Sequence, residues 1–165
     1  MINSLAPAVV IGIGATLILD LWSVLLKRVF GIATLNVPLI GRWVGSLVRG
    51  QFIHRPITAT APVAGEQAIG WAVHFAIGVL YAGIFVALSG PEWVRHPTVG
   101  PAVLFGIATV VAPFFVMQPA MGAGFAASHL PEPQMARLRS LSSHAIFGIG
   151  LYLSAVAFVA LTAWQ

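Results

Sequence analysis

The sequence predicts an all-α, polytopic membrane protein: a bundle of four transmembrane helices with one further amphipathic helix in the cytoplasmic interface. Three observations carry this prediction. Of 165 residues, 59% are hydrophobic and only 7% are charged, against roughly a quarter charged in soluble globular domains. Long stretches carry no Asp, Glu, Lys or Arg at all, namely 1–19, 67–91, 96–131 and 140–165. The few positive charges are distributed very unevenly between the connecting segments. A mean hydropathy of +0.96 is more apolar than one water-soluble core of this size can hide.

A helix crossing the hydrocarbon needs about 20 mostly apolar residues. Four spans are expected, at about 6–29, 66–89, 101–126 and 140–163, so that residues 1–165 read as a single integral membrane domain. No segment alternates like a barrel strand, and helices satisfy their own backbone in lipid. The first 26 residues hold no Lys or Arg and no convincing small-residue cleavage site, so the first span does not read as a signal peptide. Between spans one and two, Leu39, Ile40, Trp43, Val44, Leu47 and Val48 fill one half of a helix, with Arg42, Ser46 and Arg49 opposite. This amphipathic segment, about 38–49, should lie in the interface as a surface anchor, Trp43 at headgroup depth and its arginines near anionic lipid. A gate or partner surface is the functional alternative. Gly90-Pro91 and Gly100-Pro101 bracket the second loop, and a proline suits the start of the third helix.

Charge then sets orientation. Lys27, Arg28, Arg42, Arg49 and Arg55 fall between spans one and two, and Arg137 and Arg139 between spans three and four, against Arg95 alone on the other side. By the positive-inside rule the seven face the cytoplasm and both termini face the periplasm. The net charge of +4 therefore belongs to a membrane surface. Eight scattered basic residues make no phosphate-binding stripe, which excludes a nucleic-acid partner. With no cysteine, disulfides and thiolate metal sites are absent.

The informative residues are the polar ones within the spans. Asp20, His74, Gln118 and His144 sit at similar depth, in the cytoplasmic third. Ionisable groups there are costly and face the bundle interior. Helical phase agrees. Gly12, Thr16, Asp20, Ser23 and Lys27 form one stripe, Glu66, Gly70, His74, Gly78 and Tyr81 a second, and Ser140, His144, Gly148, Leu151 and Ala155 a third. In span three, Pro113, Met117, Met121 and Gly124 share a stripe, while Gln118 points roughly 100° from Met117. Pro113 and Pro119 should kink or unwind this helix, and irregular backbone at membrane depth lines a cavity or is buried. The candidate pocket is therefore Asp20, His74, Met117, Gln118, Met121 and His144. Glu66 should favour its helix dipole. His54, His96 and His129 read as solvated loop residues, and Trp22, Trp71, Trp93 and Trp164 as members of interfacial belts.

Along nearly its whole length the chain resembles a family of bacterial inner-membrane proteins called domain of unknown function 2938. The resemblance rests on Gly12 to Thr16 followed by Asp20-Leu-Trp22, on Gly41-Arg-Trp43, and on Gly65-Glu66 with Gly70-Trp71 and His74. It continues through Ala112 to Gly124, Arg137 to Ser140 with His144, and Gly148 to Tyr152. It implies a four-span membrane protein and brings no activity with it.

Three functional classes follow. The first is a small bundle binding or conducting an ion, proton or small ligand at the polar pocket, since Asp/His chains relay protons in transporters. The second is a metal or haem site. Asp20, His74 and His144 are candidate ligands for zinc, iron or manganese, the two histidines for a haem, and Met117 with Met121 for Cu(I). The third is a structural or accessory protein in which these groups only bridge helices, at about 0.6–2 kcal/mol each. Absent G-x-S-x-G, P-loop and paired-carboxylate motifs lean against an enzyme. The cofactor is unknown; the expected partners are the lipid bilayer and, since small residues on several faces allow it, further copies of the chain.

Overall fold

The computed structural model describes residues 5–32 and 35–162; Trp164 lies outside them. Every regular element among the described residues is helical. They are α1 (Leu5–Phe30), α2 (Val37–Leu47), α3 (Glu66–Arg95), α4 (Val99–Ala120) and α5 (Pro133–Thr162). α1, α3, α4 and α5 are each long and apolar enough to cross a membrane, as the charge-free stretches require. α2 is the short amphipathic helix.

Two boundaries differ from the expected ones, for identifiable reasons. α3 turns at Gly90, whose φ of 79° lies where only glycine is comfortable, and Pro91–Arg95 adds a last helical turn beyond the span. α4 ends at Ala120 rather than at 126. The carbonyls of Ala120 and Met121 accept the His54 and Ile57 amides at 2.7 and 3.0 Å, so a distant loop takes the place of a further helical turn. α4 is also irregular inside. Pro113–Met117 forms a π-turn, with the Gln118 N–H reaching back to the Pro113 carbonyl. Proline removes a backbone donor at each of positions 113 and 119, and the wider turn re-satisfies the remaining groups.

Four helix crossings are built on glycine. A Cβ at Gly12 would lie 2.5 Å from the Val79 Cα of α3, and one at Gly78 would strike Thr16 of α1. A Cβ at Gly150 would lie 2.9 Å from the Ala15 Cα where α5 crosses α1. Gly106 and Gly148 face each other across α4 and α5, and a Cβ on either would lie 2.6 Å from the other helix's backbone. Gly41 of α2 sits against the Glu66 carbonyl, and Gly70 of α3 against that of Val37. Without a hydrophobic drive between helices in lipid, such backbone contact supplies the van der Waals attraction that holds a bundle together.

The resulting order is α3, α1, α5, α4, with α2 laid across the first turns of α3. α3 and α4 meet through side chains. Phe85 stacks near Phe105 and Trp93, centroids 5.0 and 4.5 Å away, at the end opposite α2. Trp93 is only 7% exposed and donates Nε1–H to the Thr98 carbonyl at 3.2 Å, so it is a core residue and not part of an interfacial belt. Towards α2 the two helices diverge, and a cavity opens between them.

Candidate intramembrane cavity

The cavity has a volume of about 540 Å³ and takes its walls from all four spans and α2. α1 presents Thr16, Leu19 and Ser23, the hydroxyl-bearing side of the stripe that begins at Gly12. α3 presents His74, Ile77, Gly78 and Tyr81. The π-turn of α4 brings Pro113, Val116, Met117 and Gln118 to the same wall. Met117 and Gln118 do not diverge by a full α-helical step, because a π-turn rotates less per residue. α5 supplies Arg139, Ser140, Ser143, His144 and Phe147, and α2 covers the mouth with Ile40 and Trp43.

Of the six residues expected at the pocket, His74, Met117, Gln118 and His144 line the cavity. Asp20 stands behind it: its Oδ1 accepts a hydrogen bond from His74 Nε2 at 2.9 Å, joining α1 to α3. The pair is shielded, with side chains 20% and 11% exposed. Met121 is not in the wall; it lies past the end of α4, where its carbonyl holds the Ile57 amide. Among the described residues no three His, Cys, Asp or Glu side chains gather to hold a metal ion. Asp20, His74 and His144 therefore do not form a ligand set, because His144 looks instead towards α4.

There His144 Nδ1 lies 2.7 Å from Thr109 Oγ1, which is itself 2.5 Å from the Gly106 carbonyl. A carbonyl can only accept, so the threonine proton goes to Gly106 and the Nδ1–H of His144 donates to the hydroxyl. That places a proton on Nδ1, and the same ring lines the cavity. Gln118 adds another polar group: its Nε2 approaches Ser140 Oγ at 3.4 Å, while its buried Oε1 has no partner among the described residues. Buried polar atoms are seldom left unpaired. Thr109 was not singled out by the sequence, although it and Gln118 are the only hydroxyl- or amide-bearing residues in α4; that scarcity was the available signal.

The mouth is built differently from a free interfacial anchor. Arg42 does not face lipid: its Nε and Nη2 bond Glu66 Oε2 and Oε1 at 2.8 and 2.9 Å, and its Nη1 donates to the Thr60 carbonyl at 2.9 Å. The carboxylate also raises the guanidinium pKa above its ordinary value. Glu66 further accepts the Val63 amide at 3.1 Å, so it closes the first turn of α3 through specific bonds as well as through the dipole. Ser46, expected on the outer face, is buried and donates to the Arg42 carbonyl at 2.7 Å. α2 is thus held on both sides, because its glycines let it sink onto α3. His54 is likewise buried at 5% exposure, its Nδ1 2.8 Å from Thr60 Oγ1, since its loop is hydrogen-bonded to the end of α4. His96 and His129 are exposed.

Replacing Arg42 by lysine is expected to loosen α2, because an ammonium cannot reproduce the two-pronged carboxylate contact. Hydrogen exchange should speed up several-fold across 37–47 while the α4–α5 crossing keeps its protection. Unchanged protection of α2 would show that the glycine contacts alone hold it.

Four long apolar helices packed through glycine around a shared cavity define a multi-pass helical membrane protein. Residues 9–158 match the family described as protein of unknown function (DUF2938), and the chain belongs to that family. No curated protein and no solved structure matches it.

Proposed function

We propose that this is a bacterial inner-membrane protein, both termini periplasmic, whose cavity binds a small ligand from the cytoplasmic half of the bilayer. The observation that carries the reading is the cavity itself. About 540 Å³ is the size of a ligand site, and apolar walls with a few converging polar groups are the usual lining of one. Binding is favoured over conduction because the Phe85, Trp93 and Phe105 stack closes the end opposite α2. The orientation rests on the seven-to-one distribution of positive charge.

Native mass spectrometry of protein released from nanodiscs tests the reading. Wild-type protein is expected to carry a co-purified small molecule. Ala112→Phe, which projects a ring into the cavity, should lose at least about nine-tenths of it, a shift of roughly 1.4 kcal/mol or more in binding. The conservative Ala112→Val should retain most of it. An adduct-free wild type, or equal occupancy in all three proteins, would remove the ligand and leave a structural bundle.

A further inference from the structure

Resting on the cavity reading above, we infer that the ligand is a single-chain anionic amphiphile, a long-chain carboxylate. Its head is held by Arg139 and its chain enters from the bilayer between α3 and α4.

Charge points to the head. Arg139 is the only Lys, Arg, Asp or Glu in the cavity lining. Among the described residues no carboxylate lies within ion-pair distance of it; Asp20 is bound to His74 and Glu66 to Arg42. Ser140 and Ser143 line the same cavity, and Ser143, four residues on along α5, shares the helix face of Arg139 and offers a hydroxyl donor beside it. One guanidinium with neighbouring hydroxyls matches one carboxylate, which is ionised near neutral pH. A phosphate monoester would bring nearly twice the charge.

The walls point to the chain and its route. Beyond the serines the lining turns apolar with Leu19, Ile77, Val116, Met117 and Phe147. Ile77 and Val116 are also 40% and 58% exposed. A residue that is both wall and surface marks a side opening, and these two stand on α3 and α4, the neighbours whose backbones do not pack. The space suits one acyl chain and not the two of a phospholipid.

The test uses full-length protein in nanodiscs of zwitterionic phospholipid, with diazirine-bearing palmitic acid, hexadecanol and hexadecyl phosphate as probes. Palmitate should label at least about tenfold more strongly than hexadecanol, with crosslinks at the α3–α4 opening, the advantage expected for one charge-assisted contact. Arg139→Gln should reduce palmitate labelling to the hexadecanol level. Unchanged hexadecanol labelling in that variant would report an intact cavity. Equal labelling by acid and alcohol, stronger labelling by hexadecyl phosphate, or palmitate labelling indifferent to Arg139→Gln would each overturn the carboxylate assignment. If no probe labels the cavity while Ala112→Phe still strips a co-purified molecule, the amphiphile class falls and the cavity reading stands.

Discussion

Gly148→Leu is expected to destabilise the bundle by about 3 kcal/mol, the upper range for forcing extra volume into a packed interior. A side chain there has no direction in which to yield. Its Cβ alone would lie 2.6 Å from the Ala102 carbonyl oxygen and 2.7 Å from the Val103 Cα. Both are backbone atoms of α4, so relief requires the whole helix to move. The displacement would also pull Thr109 away from His144, which sits one turn before Gly148 on α5. Gly100, at the start of α4, is the matched control, since nothing lies within 4 Å of its would-be Cβ. Gly100→Leu should cost at most about 1 kcal/mol, since the only crowding a Cβ meets there is from the ring of the following Pro101, set against a gain in helix propensity. Equilibrium unfolding in mixed micelles reads the difference, and equal costs at the two positions would show that the α4–α5 crossing is not close-packed.

The second large effect concerns Asp20 and His74. Removing the imidazole with His74→Ala leaves a carboxylate within α1 without its donor, at an expected cost of about 1.5–3 kcal/mol. Asp20→Asn keeps the shape and a hydrogen-bond acceptor and should cost less, about 1 kcal/mol. The decisive quantity is the coupling. In the double variant the loss should fall short of the sum of the single losses by about 1 kcal/mol or more, because the histidine deletion no longer strands a charge. Additive losses would mean that the 2.9 Å contact contributes nothing of its own.

The sequence was most legible where the bilayer imposes its own rules. Absence of charge placed α1, α3, α4 and α5, since no charged residue can be spread along a lipid-facing helix at small cost. Equal depth suggested that Asp20 and His74 face inward, and they are hydrogen-bonded. Legibility failed where the outcome depends on residues far apart in the chain. Nothing local says that Arg42 will find Glu66, 24 positions later, rather than a lipid phosphate. An amphipathic pattern looks the same whether the apolar stripe meets lipid or another helix. Gly41 and Gly45, on the α2 segment, were the available hint that this helix would sink onto a neighbour. The end of α4 failed for the same reason, because the His54 loop that caps it lies some 65 residues earlier. In the sequence Arg139 reads as a topology charge and not as a site residue. Its place at the cavity follows from α5 beginning at Pro133, a full turn and more before the charge-free stretch.

The α3–α4 seam has a further consequence. Three crossings among the spans join backbone to backbone and are nearly incompressible, whereas in the proposed bilayer this fourth seam would be completed on one side by the surrounding hydrocarbon. Ile77 and Val116 form its edges, and in the bilayer proposed above the acyl chains of neighbouring lipids would stand where a fourth close-packed crossing is missing. The solvent would then be part of the architecture. Chain length and unsaturation in the host membrane would then act on the cavity as side-chain substitutions do, and transfer into detergent would replace one wall without altering a residue.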